Sequence, residues 1–82
     1  MLEIGRVTHY YGKISVAVVT LREPLALKER VAFQGFTTDF EQEIDSIQVD
    51  HKEMERAEKG QEIAIKVREK VRVGDSLYRL EP

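Results

Sequence analysis

The segment from Ala57 to Leu80 leaves few folds open to this chain. Ala57-Glu58-Lys59-Gly60 ends in a glycine turn, and the residues that follow alternate strictly. Ile63, Ile65 and Val67 fall on one face, and Ala64, Lys66 and Arg68 on the other, the period of a strand buried on one side. Val73-Gly74-Asp75 makes a second turn and opens a short strand at Ser76. A half-buried strand bounded by two glycine turns is a fitting end for a small β-barrel.

The rest of the sequence bounds what such a barrel can be. Its 82 residues make one domain, 1–82, with no room for a second core. A chain of this size buries only about 60–65% of its unfolded surface, so an efficient closed architecture is expected. Cysteine is absent, which fits a reducing compartment and excludes thiol catalysis and zinc knuckles. Charged residues make up 34% of the chain with a net charge of −2, a solvated surface without the positive excess of a dedicated nucleic-acid binder. Met1-Leu2-Glu3-Ile4-Gly5 lacks the basic start and apolar run of a signal peptide, and no apolar stretch is long enough to span a bilayer. The expectation is a cytoplasmic protein with no membrane partner.

Along the chain, Ile4 to Tyr10 reads as a first strand and Tyr11-Gly12-Lys13 as a hairpin turn, with Gly12 supplying the positive φ. Ile14 to Leu21 is the most β-prone stretch and is ended by Glu23-Pro24. Val31 to Gln34 is a third strand, Gly35 to Asp39 a loop, and Phe40 to Val49 a long strand. Ile44 is out of phase with Ile47 and Val49 in that strand, and a β-bulge near Asp45-Ser46 is predicted to bring all three to the core. Lys52 to Lys59 has helical composition but only Met54 to bury, so a loop with at most one helical turn is expected. Glu62 to Arg68 and Ser76 to Leu80 complete the strands. The fold class is all-β: a single closed antiparallel Greek-key barrel of six to seven strands. Its expected inner layer is Ile4, Val7, Val16, Val18, Val31, Phe33, Ile44, Ile47, Val49, Ile63, Ile65, Val67 and Leu77.

Several short motifs in order carry a family likeness. They are Ile4-Gly5-Arg6-Val7-Thr8, Lys13 to Val19, Leu25 to Val31, Ile44-Asp45-Ser46-Ile47-Gln48, Ala57-x-x-Gly60 and Gly74-Asp75. Together they resemble the β-barrel second domain of translational GTPases of the elongation factor Tu type. With Thr37-Thr38-Asp39-Phe40 and Asp50-His51-Lys52 added, the chain looks most like stand-alone translation elongation factor-like proteins, and it is similar to a domain appended to collagenase-like peptidases. The resemblance implies the barrel, and a partner that is translation-related RNA or ribonucleoprotein, or an enzyme. Lys28 stands where the family has a turn glycine, and a side chain at positive φ costs about 1 kcal/mol, so a different turn geometry is expected there. No Gly-x-x-x-x-Gly-Lys-Ser/Thr occurs, so no nucleotide or other cofactor is implied.

Catalytic chemistry finds little footing. His9 and His51 are the only histidines and show no metal-ligand spacing. Ser15, Ser46 and Ser76 lie outside any nucleophile elbow. No enzyme activity and no metal site are expected. Binding has two candidates. Lys66, Arg68, Lys70 and Arg72 alternate, and in an extended chain they form a positive row with spacings of about 6.5–7 Å that suits a phosphate backbone; the alternative is a solvated face paired with neighbouring acids. Tyr10, Tyr11 and Lys13 at the first hairpin, with His51 and Lys52, form a second patch able to stack bases or clasp a peptide. If the partner is instead a protein, the apolar outer side of the second strand (Ala17, Val19, Leu21) is the expected contact, and an exposed Phe36 would serve as an anchor.

Overall fold

Antiparallel pairing carries the Ile63-Ile65 face across the molecule, and that pairing decides which residues become core. In the computed structural model, which describes residues 2–80, there are ten strands and no helix. They are β1 (Leu2–Tyr11), β2 (Val16–Leu21), β3 (Leu25–Ala26), β4 (Arg30–Gln34), β5 (Asp39–Glu43), β6 (Gln48–Val49), β7 (Lys52–Glu53), β8 (Arg56–Ala57), β9 (Glu62–Lys66) and β10 (Ser76–Arg79). Eight form one antiparallel sheet in the order β5-β4-β10-β1-β2-β9-β6-β7, and β3 and β8 form a separate two-stranded ribbon. The all-β antiparallel expectation holds. The closed barrel of six to seven strands does not: β5 and β7 are free ends of the eight-stranded sheet, with no ladder between them.

The gap is bridged by a side chain instead of a backbone ladder. Gln42 on β5 is buried, and its Nε2 donates to the Lys66 carbonyl at 2.9 Å while its Oε1 accepts from the Arg68 amide at 2.9 Å. The carboxamide stands in for a peptide group, satisfying a donor and an acceptor just past the end of β9. The β3–β8 ribbon places Leu25 and Ala57 against the core, both fully buried.

The second strand packs in the opposite phase from that expected. Ala17, Val19 and Leu21 are buried, and Val16 and Val18 are only half-buried. Directly opposed residues of an antiparallel pair share a face. Val19 lies opposite Val7 and Ile63, and Ala17 opposite Ile65, so the core face of β9 fixes that of β2. With apolar residues on both faces, the strand could not signal its own phase. Gly5 permits the close approach of β1 to β2, since a Cβ there would lie 2.7 Å from Val19 Cγ1 and 2.9 Å from the Thr20 carbonyl oxygen.

Other expectations shift for local reasons. The long strand from Phe40 is interrupted over residues 44–47 instead of bulged, and both Ile44 and Ile47 are buried by that break, with Val49 half-buried against them. Ladder irregularities fall instead in β1, between Glu3 and Gly5 and between Val7 and His9. In the β1–β2 hairpin the left-handed residue is Ser15, at φ 54°, and not Gly12. Lys28 retains the left-handed turn, at φ 72°. Its amide donates to the Ile44 carbonyl at 2.8 Å, Ile44 N donates back to the Glu29 carbonyl at 2.9 Å, and Glu29 Oε2 accepts from Ala26 N at 2.6 Å. Those bonds over-determine the turn and hold a lysine where glycine would be easier. The polar stretch after Val49 contributes β7 and β8 and no helical turn.

Candidate functional site

The parallel course of β1, β4 and β9 brings three connections to one end of the sheet: residues 12–15, 35–38 and 67–75. They are tied to one another. Val67 N donates to the Ser15 carbonyl at 2.9 Å, joining the first hairpin to the β9–β10 connection. Arg72 Nε donates to Thr37 Oγ1 at 2.9 Å, joining that connection to the β4–β5 hairpin. Asp75 is buried, and its Oδ2 accepts from Arg72 N at 2.8 Å. Its Oδ1 sits where a side chain on Gly35 would begin, 1.9 Å from the position of a Cβ there. Gly35 N donates to the Thr38 carbonyl at 2.8 Å, which tightens the hairpin around a buried Thr38.

This framework displays apolar side chains outward. Of the six large apolar residues exposed among the described residues, Tyr11, Ile14, Phe36 and Val73 lie at this end. Phe36 is fully exposed (103%), and Val73 is 68% exposed. The Thr37–Arg72 hydrogen bond ties together the two connections that carry them. Of these four, the sequence marked Phe36 and Tyr11. Ile14 reads as strand and Val73 as a turn flank, so their grouping is a tertiary fact.

The basic residues reach the same end, though not as a row on a strand. β9 stops at Lys66, and Arg68, Lys70 and Arg72 lie in the connection beyond it. Arg68 pairs with Asp45 at 3.5 Å, and Arg72 is held by Thr37. Lys66, Arg68, Lys70 and Arg72 are all exposed, as is Lys13 on the neighbouring hairpin. The even phosphate-matched spacing required an extended chain, and a bend at 68–69 and a turn at 73–74 remove it.

The second predicted patch is dispersed. Tyr10 is half-buried and packs against the core, whereas Tyr11 points to the other face and stacks with His9 at 6.3 Å between ring centroids. His51 and Lys52 are exposed at the β6–β7 turn. That turn holds Asp50 and His51 at φ 52° and 65°, beside a shallow cleft lined by Val18, Gln48, Glu62 and Ala64. Strands β2 and β9 intervene between β1 and β6, a separation of three strand spacings, or about 14 Å. Tyr10, Tyr11 and His51 therefore form no single contact site. Ala17, Val19 and Leu21 are interior, so they offer no docking surface.

Among the described residues no group of three or more histidine, cysteine, aspartate or glutamate side chains is placed to hold a metal ion. Glu3, at the opposite end, has a carboxyl pKa displaced from its ordinary value. A hydrogen bond from Ser76 holds its carboxyl below the usual range, against a small desolvation; the hydrogen bond and charge of Arg6 and the charge of Arg22 add to it. Arg22 pairs with it at 2.9 Å and Arg6 at 3.4 Å.

An open, curled all-β domain with an apolar and basic end is thus the class that fold and surface define. The same fold occurs in the C-terminal domain of a Geobacillus thermoleovorans protein described as a U32 peptidase. The match has a TM-score of 0.92 at 22% identity and covers 98% of this chain and 93% of that one. A selenomethionine variant of that domain matches with a TM-score of 0.91 over 96% of this chain, again at 22% identity, and is covered in full. No family model matches the chain. Among curated proteins it is 38% identical over 81 residues to an uncharacterized protease of Methanocaldococcus jannaschii, which covers 98% of this chain and 20% of that protein. It is 32% identical over 80 residues to a collagenase of Porphyromonas gingivalis, covering 95% of this chain and 22% of the collagenase. The chain spans about a fifth of the length of these curated relatives. These relatives support the likeness to collagenase-like peptidases and do not support the likeness to translation factors.

Proposed function

We propose that this domain is a non-catalytic module that works by docking on a peptidase-like polypeptide. The observation that carries the reading is one of proportion: the whole chain aligns with only a fifth of a protease and of a collagenase. A domain of that share, with the fold of a separately folding C-terminal unit, suits an accessory role beside a larger catalytic part. The side chains agree. His9 and His51, the two histidines, are exposed and lie three strand spacings apart, so they do not combine in one site.

The test is affinity capture from cells of the source organism with the tagged chain, at low and high salt, with and without ribonuclease. Retention of a U32-type peptidase, identified by mass spectrometry, through high salt and ribonuclease is the expected result. Capture that disappears with ribonuclease would replace this reading with an RNA-binding one. Turnover of gelatin by the isolated chain would make it an enzyme in its own right.

A further inference from the structure

We propose that the end of the domain carrying Phe36, Val73 and Ile14 is its docking surface, and that it engages an apolar pocket rimmed by carboxylates on the peptidase-like partner. This inference rests on the docking reading above and assigns it a surface. Three observations support it. First, exposed apolar residues are concentrated there, with Phe36 wholly in solvent at a hairpin tip and Val73 on the connection hydrogen-bonded to that hairpin. A large aromatic ring on a convex tip is the shape of an anchor that fills a pocket.

Second, the tip is held rigid. The buried carboxylate of Asp75 fixes the β9–β10 turn through Arg72 N and packs against Gly35 in the neighbouring hairpin, and Thr37 fixes the Arg72 side chain. Side chains displayed on a pre-ordered loop lose little freedom on binding, so more of the contact energy appears as affinity. Third, charge is divided between the ends. Lys13, Lys66, Arg68, Lys70 and Arg72 lie at this end, opposed there by Asp39, Asp45, Glu69 and the buried Asp75, although the chain as a whole is acidic at −2. The excess of acid therefore lies on the remainder of the surface. A carboxylate-rimmed pocket matches this arrangement, while an extended polyanion such as RNA or an anionic bilayer would meet the acidic remainder as well.

The experiment places a benzophenone amino acid at position 36 or, as a control, at exposed position 2 at the start of β1, the other end of the sheet, in the full chain within source cells. Irradiation is followed by mass spectrometry, and capture is repeated with Phe36→Ser and Val73→Ser. A covalent adduct of the peptidase from position 36 and not from position 2 is expected. Phe36→Ser is expected to weaken binding by about thirty-fold or more with an unchanged melting temperature, because the ring touches no core residue. If the wild-type chain captures the peptidase but adducts form only from position 2 and Phe36→Ser binds normally, the docking reading stands and this surface is wrong. If no peptidase is captured by any form, the docking reading itself fails. Adducts from position 36 to lipid or RNA would overturn the proposed partner chemistry.

Discussion

The backbone amide of Arg68 donates to Oε1 of Gln42 at 2.9 Å, across 26 residues of sequence. Through this bond and its companion to the Lys66 carbonyl, one carboxamide joins the β5 edge to the segment beyond β9. Gln42→Ala is expected to cost about 2 kcal/mol, since it leaves polar backbone groups without partners. Urea unfolding followed by circular dichroism measures it. Gln42→Glu is expected to destabilise more at neutral pH, because a carboxylate cannot donate to the Lys66 carbonyl. Burial raises the pKa of that introduced acid in the folded chain, so its penalty is full above the folded pKa and shrinks as pH falls.

Gly35 and Asp75 are expected to behave as a coupled pair. Gly35→Ala forces a methyl into the Asp75 carboxylate and destabilises the domain. Asp75→Ala removes both the obstruction and the acceptor for Arg72 N, at a cost of about 1–3 kcal/mol. In the double variant the Gly35 penalty should largely vanish, giving an interaction energy of roughly 1 kcal/mol or more in a double-mutant cycle. Additive costs would show that the two loops are not in contact.

The phase of β2 separates two neighbouring valines. Val19→Asp places a charge in the interior and is expected to abolish cooperative folding, whereas Val18→Asp on the half-buried face leaves a folded domain. Thermal melts of the two variants distinguish this register from the opposite one, which predicts the reverse order.

Lys28 offers a gain. Its backbone lies at φ 72°, so Lys28→Gly relieves a left-handed side chain and is expected to raise stability by about 0.5–1 kcal/mol. Equilibrium denaturation reads this directly, and a loss of stability would show that the turn's hydrogen bonds carry no such strain.

Glu3 sets a pH dependence. Its carboxyl pKa is lowered in the folded chain, chiefly by the Ser76 hydrogen bond, so its stabilisation is complete above the unfolded carboxylate pKa and is lost as pH falls through the lower, folded one. Glu3→Gln is therefore expected to reduce the melting temperature slightly at neutral pH and to match the parent in acid. A difference that persists at low pH would point to lost packing instead of lost charge.

Local chemistry determined much of this protein. Alternation alone placed Ile63, Ile65 and Val67 in the core, and β-branched runs and glycine turns marked the strands at β1, β2, β4 and β9. Those signals are short-range, set by side-chain period and backbone sterics, so they can be read residue by residue. Tertiary structure decided the rest. The inward face of β2 follows from its partners, because a strand apolar on both sides carries no phase of its own. The seam depends on Gln42 meeting Lys66 and Arg68, a buried polar contact that no spacing announces. The grouping of Phe36 with Val73 and Ile14, and the scattering of Tyr10, Tyr11 and His51, arise from strand order. Residues far apart in the chain become neighbours only once the ladders have paired, and periodicity along one strand holds no information about the next.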